Sequence, residues 1–327
     1  MKLLLTLALA LAGTAGLAQR PQFRTGIDVV QLNVAVTDKT KVIADLIAAD
    51  FEVRDNDVVQ EVTNVSREAL PIDVTMVIDT SESVAGWVQT AIVNAANKVR
   101  MRLQPSDRLS LLTFNQRVVE RASMRPATDV NVLELGKPAG QTSLHDALAT
   151  VLVQRAVADR RQLAIVFSDG RDSTSLLSDG DVLDLARRSQ TATFFVVDLQ
   201  SGSRMVVNWV SGPSGVPTPS MSLVKENDPR LMTFVQTISA ATGGVVQLAS
   251  LNNITIINGR TREVVQRPRT EMLDEPFLKA LEDFRTSYVV SYVLAGVPRP
   301  GWHEVKVRVK RPGTSYQIRT RNGYTGG

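Results

Sequence analysis

The sequence predicts an α/β protein: a doubly wound, mostly parallel sheet, with a small flanking β-sandwich built from the N- and C-terminal segments. Three observations carry that expectation. Residues 74–78, 109–114, 163–167 and 193–197 are short, nearly continuous apolar runs, as strands covered on both faces should be. Between them the apolar residues recur every three or four positions, the period of a helix packed by one face. Outside residues 71–250, at both ends, they alternate instead, which is the period of a half-buried strand.

The first 18 residues are expected to stand outside the fold. Met1-Lys2 lead into LLLTLALALAGTAGLA, with small residues at Gly16 and Ala18. That run is shorter than the roughly 18–20 residues a membrane span needs, and it reads as a secretory signal cleaved after Ala18. Mature protein would begin at Gln19 and lie in the periplasm or outside the cell. No later segment is apolar for long enough to span a bilayer.

Residues 19–70 form the N-terminal β segment. Residues 29–36 alternate for most of their length, as do Phe51-Glu52-Val53, with turn chemistry at 36–39 (VTDK) and 54–57 (RDND). Residues 71–250 switch to alternating strand and helix. After the strand at 74–78, Val88, Ile92, Ala95, Val99 and Leu103 mark one helix face, and further helices are expected at 144–157, 178–188 and 231–241. Ser178 and Asp181 are spaced as a capping box. Gly243-Gly244 stops the last helix before a strand at 244–248. Residues 202–229, rich in Ser, Gly and Pro, read as an exposed insertion. Residues 251–327 supply a helix and a β segment expected to pack with the N-terminal one. There Val305, Val307 and Val309 would face a core, while Lys306, Arg308 and Lys310 would face water.

Composition removes several chemistries. The chain has no cysteine, so disulfides, zinc ribbons and thiol nucleophiles are out. Its two histidines, His145 and His303, cannot make a three-histidine zinc site. The net charge of +4 does not mark a nucleic-acid binder. Residues 260–327 hold 13 Lys and Arg against 7 Asp and Glu, a surplus read as a solvated face.

Chemistry concentrates where strands end. In open α/β sheets ligands bind beyond the carboxyl ends of the strands. Asp79-Thr80-Ser81-Glu82-Ser83 follows the first buried strand, Thr142 precedes a helix, and Asp169 ends the strand at 163–167. Two carboxylates and three hydroxyls can thus converge from three loops. All are hard oxygen donors, which favours Mg²⁺, with Mn²⁺ and Ca²⁺ behind it. Neutral hydroxyls leave such a cation open to another anion.

These residues resemble the metal-ion-dependent adhesion site of von Willebrand factor type A (vWA) domains, a Rossmann-like fold. The match is the D-x-S-x-S of Asp79, Ser81 and Ser83, the Thr142 loop and the Asp169 strand end, over residues 71–250. The flanks, with Tyr288-Val289-Val290-Ser291-Tyr292 and the terminal Arg321-Asn322-Gly323-Tyr324, are similar to secreted bacterial VWFA-related proteins of acidobacterial type. The resemblance implies that Ser81, Ser83 and Thr142 contact the metal, and that Asp79 and Asp169 act directly or through water. Glu82 and Gln141 stand where relatives often carry glycine. The implied function is non-enzymatic: an exported module that grips a protein partner's Asp or Glu carboxylate through the metal. Two alternatives are an envelope scaffold with a structural metal and a metal-assisted hydrolase using His145 as base. His145 is otherwise expected to be exposed and structural, His303 to lie at the surface, and Trp87 to pack on the core.

Overall fold

The computed structural model describes residues 29–67, 70–130, 134–168, 172–198, 203–211, 217–225, 229–249, 270–312 and 315–326. The expected signal segment and Asp169 lie outside the described residues. In chain order, β1 (Val29–Asp38), β2 (Lys41–Val42), β3 (Phe51–Asp55), β4 (Val58–Gln60) and β5 (Val62–Ser66) come first. The middle holds β6 (Ile72–Asp79), α1 (Trp87–Arg102), β7 (Arg108–Phe114), β8 (Val118–Pro126), α2 (Leu144–Leu152), β9 (Arg161–Ser168), α3 (Asp179–Arg188) and β10 (Ala192–Asp198). It continues with β11 (Ser203–Ser211), β12 (Pro217–Lys225), α4 (Pro229–Thr242) and β13 (Val246–Ala249). The chain ends with α5 (Asp274–Arg285), β14 (Tyr288–Val293), β15 (Gly301–Val309), β16 (Gln317–Arg319) and β17 (Gly323–Gly326).

The central sheet has the order β13-β10-β9-β6-β7-β8. Its neighbours are parallel except for β8, which runs antiparallel along β7. The apolar runs have a simple cause. Successive side chains point to opposite faces, and each face has its own apolar cluster. Val74, Met76 and Ile78 of β6 and Leu163, Ile165 and Phe167 of β9 meet α1 and α5 on one side. Val77, Ala164 and Val166 meet α2, α3 and α4 on the other. Trp87 is half-buried against the first cluster.

Three expectations about elements change. The helix expected at 144–157 ends at Leu152, and Val153 and Val157 are exposed. Strand β8, not anticipated, is an edge strand whose side chains are mostly outside, Ala122 being buried; Glu120, Arg121 and Arg125 suit such an edge. Within residues 202–229, β11 and β12 form a regular antiparallel pair from Ser203↔Lys225 to Ser211↔Pro217. At the helix stop, Gly243 has φ +78°, and a Cβ on Gly244 would sit 1.8 Å from the Thr193 carbonyl oxygen.

The chain ends pair with each other. β1 lies antiparallel to β14, and β3 to β15. Leu32, Val34, Phe51, Val53, Tyr288, Val290, Tyr292 and Val305, from both pairs, share one apolar cluster. His303 is not a surface residue: it is 1% exposed. Its place on β15 has the parity of Val305, so it points inward. There its Nδ1 lies 2.7 Å from the buried Asp55 carboxylate and its Nε2 3.0 Å from the Arg299 carbonyl. Tyr292 and Tyr324 donate to the other Asp55 oxygen at 2.6 and 2.9 Å. Burial, with the carboxylate beside them, pushes both phenols far above their ordinary range.

Two buried arginines tie this β unit to the α/β unit, Arg161 at β9 and Arg321 at the end of α3. Arg161 of β9 donates to Asn33, Ser287 and the Phe284 carbonyl. Arg321 donates to the Ser189, Arg187 and Gly323 carbonyls. Desolvation pulls both guanidiniums down to about 10, with Arg285 adding to the effect at Arg161.

Candidate metal centre

β6 runs through the middle of the sheet and ends in Asp79, which is fully buried. The carboxylate is held from two sides. The Ser81 N–H donates to Oδ1 at 2.8 Å, and the Ser168 hydroxyl at the end of β9 donates to Oδ2 at 2.7 Å. The first contact makes the chain turn back over the strand end. That turn brings the Ser81 and Ser83 hydroxyls to 3.0 Å from each other. Ser81 is buried beneath and Ser83 is exposed above.

The loop before α2 is tied to this turn by main-chain bonds. The Glu82 N–H donates to the Gly140 carbonyl at 3.0 Å, and the Ala139 N–H to the Thr80 carbonyl at 3.0 Å. Gly140 has φ +76°, a backbone conformation that side chains strain. Two residues on, Thr142 is buried. Its carbonyl accepts the N–H groups of Ser173 and Thr174, and its own N–H donates to the Ser173 hydroxyl. Among the described residues no hydrogen bond engages its hydroxyl.

Three of the five expected residues, Asp79, Ser81 and Ser83, are therefore gathered at one strand end, and the loop that carries Thr142 is bound to their turn. Asp169, the fifth, follows Ser168 directly in sequence and lies outside the described residues. The donor set fits a small hard cation. Adjacent ligands of an octahedral Mg²⁺ at 2.0–2.1 Å stand about 2.8–3.0 Å apart, and the Ser81 and Ser83 oxygens have that spacing. Among the described residues no group of three or more His, Cys, Asp or Glu side chains is placed to hold a metal ion. The crevice offers hydroxyls around a carboxylate instead. Glu82 is exposed.

Sequence reasoning missed Ser168, whose signal was its place immediately before Asp169. It also misjudged His145, which is buried. The ring packs on Phe234 with centroids 4.5 Å apart. Its Nδ1 contacts the Leu177 carbonyl at 3.0 Å, and its Nε2 lies 3.4 Å from Asp179. Both nitrogens are thus turned to the start of α3, where the ring holds the residues 172–178 loop against α2. A general base would need a free nitrogen facing the crevice.

No helix among the described residues is long and apolar enough to cross a membrane. No curated protein matches the chain in sequence. Solved structures similar to it include an aerotolerance-related membrane protein from Bacteroides fragilis NCTC 9343, at 10% identity over 65% of this chain and 98% of that one, TM-score 0.40. BatB from Bacteroides thetaiotaomicron is similar at 11% identity over 64% of this chain and 99% of that one, TM-score 0.40. Proximal thread matrix protein 1 from the mussel byssus, with a zinc-occupied MIDAS motif, is similar at 12% identity over 70% of this chain and 49% of that one, TM-score 0.43. The von Willebrand factor type A domain matches residues 73–238. With half of its length matched by that domain, the chain belongs to the von Willebrand factor type A family.

Proposed function

We propose that this protein is an exported, non-enzymatic binding module that holds a partner's Asp or Glu carboxylate through a divalent cation, Mg²⁺ first. Asp79, Ser81, Ser83, Thr142 and Asp169 hold the cation, within a doubly wound vWA unit of residues 71–250. A β-sandwich of the terminal segments (19–70 and 251–327) flanks it, and residues 1–18 direct export. The observation that carries the reading is the pair of hydroxyls 3.0 Å apart above a buried carboxylate that Ser81 and Ser168 fix from both sides. When bound, the cation supplies an electrophilic position that neutral hydroxyls leave unsatisfied. The chain's own residues set its place and keep Asp79 from turning away.

Calorimetry with Mg²⁺ and Mn²⁺ on wild type and Asp79→Ala tests the reading. Metal affinity should fall by at least about 100-fold in the variant, the ~3 kcal/mol expected when a carboxylate leaves a cation site. The circular-dichroism spectrum should stay the same, since Asp79 closes a strand and adds little to the core. Equal affinity in both proteins would defeat the proposal.

A further inference from the structure

Beside the crevice, Leu176 stands 94% exposed. A lone exposed leucine is ordinary, but the loop that carries this one is fixed at every step. The Ser173 and Thr174 N–H groups bind the Thr142 carbonyl. Ser175 donates to Asp172 at 2.6 Å and accepts the Asp146 N–H at 3.2 Å. The N–H of Leu176 itself is shared by both Asp146 carboxylate oxygens at 3.1 Å. The chain spends a buried histidine and a half-buried aspartate on holding an apolar side chain out in water.

Leu176 also belongs to the loop that meets Thr142. It stands three positions after Ser173, which touches Thr142, so its Cα lies within about 11 Å of Ser173 Cα. Three residues further along the chain, at Asp179, begins the lining of a groove of about 420 Å³ between α3 and α4. Leu183 lines it, with Phe234 and Ile238 as its floor. A crevice that wants a carboxylate is thus followed by a rigid leucine and an apolar-floored groove.

From this continuity we propose that the partner is an extended peptide segment whose Asp or Glu is accompanied by a large apolar residue, Leu, Ile, Phe or Met, packed on Leu176. At about 3.3 Å per extended residue, the apolar partner belongs within roughly three positions of the acid. The proposal rests on the metal-site reading above and adds the specificity element to it. Leu176 selects among acidic segments by excluding water from the neighbouring side chain, and a fixed loop does so without an ordering penalty on binding.

Random linear peptides displayed on phage, panned on the full chain with Mg²⁺ and eluted with EDTA, provide the test. Retained sequences should pair an acid with an apolar residue at the stated spacing. A synthetic consensus peptide should bind Leu176→Ser on the order of tenfold more weakly than wild type, as expected for losing most of one buried leucine. Met101→Ser, at an exposed residue on the last turn of α1, should bind like wild type, and Mg²⁺ calorimetry should be unchanged in both variants. EDTA-eluted acidic peptides with no apolar companion, or with equal affinity for Leu176→Ser, would overturn the leucine's role and leave the metal site standing. Peptides that ignore EDTA and carry no acid would overturn the metal reading beneath it. Retention of no peptide by the wild type would overturn both.

Discussion

Replacing Asp146 by alanine should release the loop beside the crevice without unfolding the protein. The Asp146 carboxylate, half-buried in the first turn of α2, accepts the N–H groups of Leu176 at 3.1 Å and Leu177 at 3.2 Å. Hydrogen bonds to charged acceptors contribute ~1.5–3 kcal/mol each. Partial exposure to solvent discounts these two to ~1–1.5 kcal/mol each, so about 2–3 kcal/mol of local ordering should be lost together. A carboxylate at a helix N-terminus adds ~0.5 kcal/mol to α2 itself. Amide hydrogen exchange reads the local term directly, because protection measures the free energy of local opening. At 1.36 kcal/mol per decade, the Leu176 and Leu177 amides should exchange about 30- to 150-fold faster in Asp146→Ala. The Val166 amide, inside β9 and fully buried, serves as reference and should shift only by the small helix term. Asp146→Asn keeps an acceptor oxygen and should recover part of the protection. If the two loop amides speed up by less than about threefold in Asp146→Ala, the carboxylate does not order this loop.

Two further outcomes are expected. Asp55→Asn should cost about 3–5 kcal/mol, because it strips the charge from a buried carboxylate that serves His303, Tyr292 and Tyr324 together; urea unfolding followed through Trp302, beside His303 on β15, should show it, and a loss below ~1 kcal/mol would contradict it. For the proposed export, N-terminal sequencing of protein recovered outside the cytoplasm should begin at Gln19, and an intact Met1 would refute the signal assignment.

Strands β6, β9 and β10 were legible because burial on both faces leaves an unbroken apolar run. The start of α3 was legible because Ser178 and Asp181 form the reciprocal capping pair that their spacing suggests. The end of α2 was not, since Val153 and Val157 continue an apolar pattern while lying exposed. β8 escaped notice because an edge strand carries charges that periodicity reads as loop. The β11–β12 pair escaped because Ser, Gly and Pro dominated the composition while main-chain pairing did the folding. The inward place of His303 follows from its parity with the buried Val305 on β15, and that alternation outweighs the usual surface preference of histidine. At the crevice, Asp79, Ser81 and Ser83 were readable from one strand end. The Ser168 contact was not, because it joins residues 89 positions apart that only the parallel pairing of β6 and β9 brings together.

The mutual pairing of the chain ends also sets an order of events during synthesis. β1 finds its long partner only when Tyr288 of β14 has emerged, with Val34 as its opposite residue. At ribosomal rates of about 5–20 residues per second, that wait is roughly 12–50 s. The strands between β6 and β13 have their sheet partners within their own stretch and can pair meanwhile, with α5 closing one face later. During that interval β1 has only the two residues of β2 beside it, and β3 only β4, so both keep an open apolar edge of the kind that recruits other chains. The newborn protein is therefore most vulnerable to aggregation near its front end, and that interval is the time in which a holding chaperone would act.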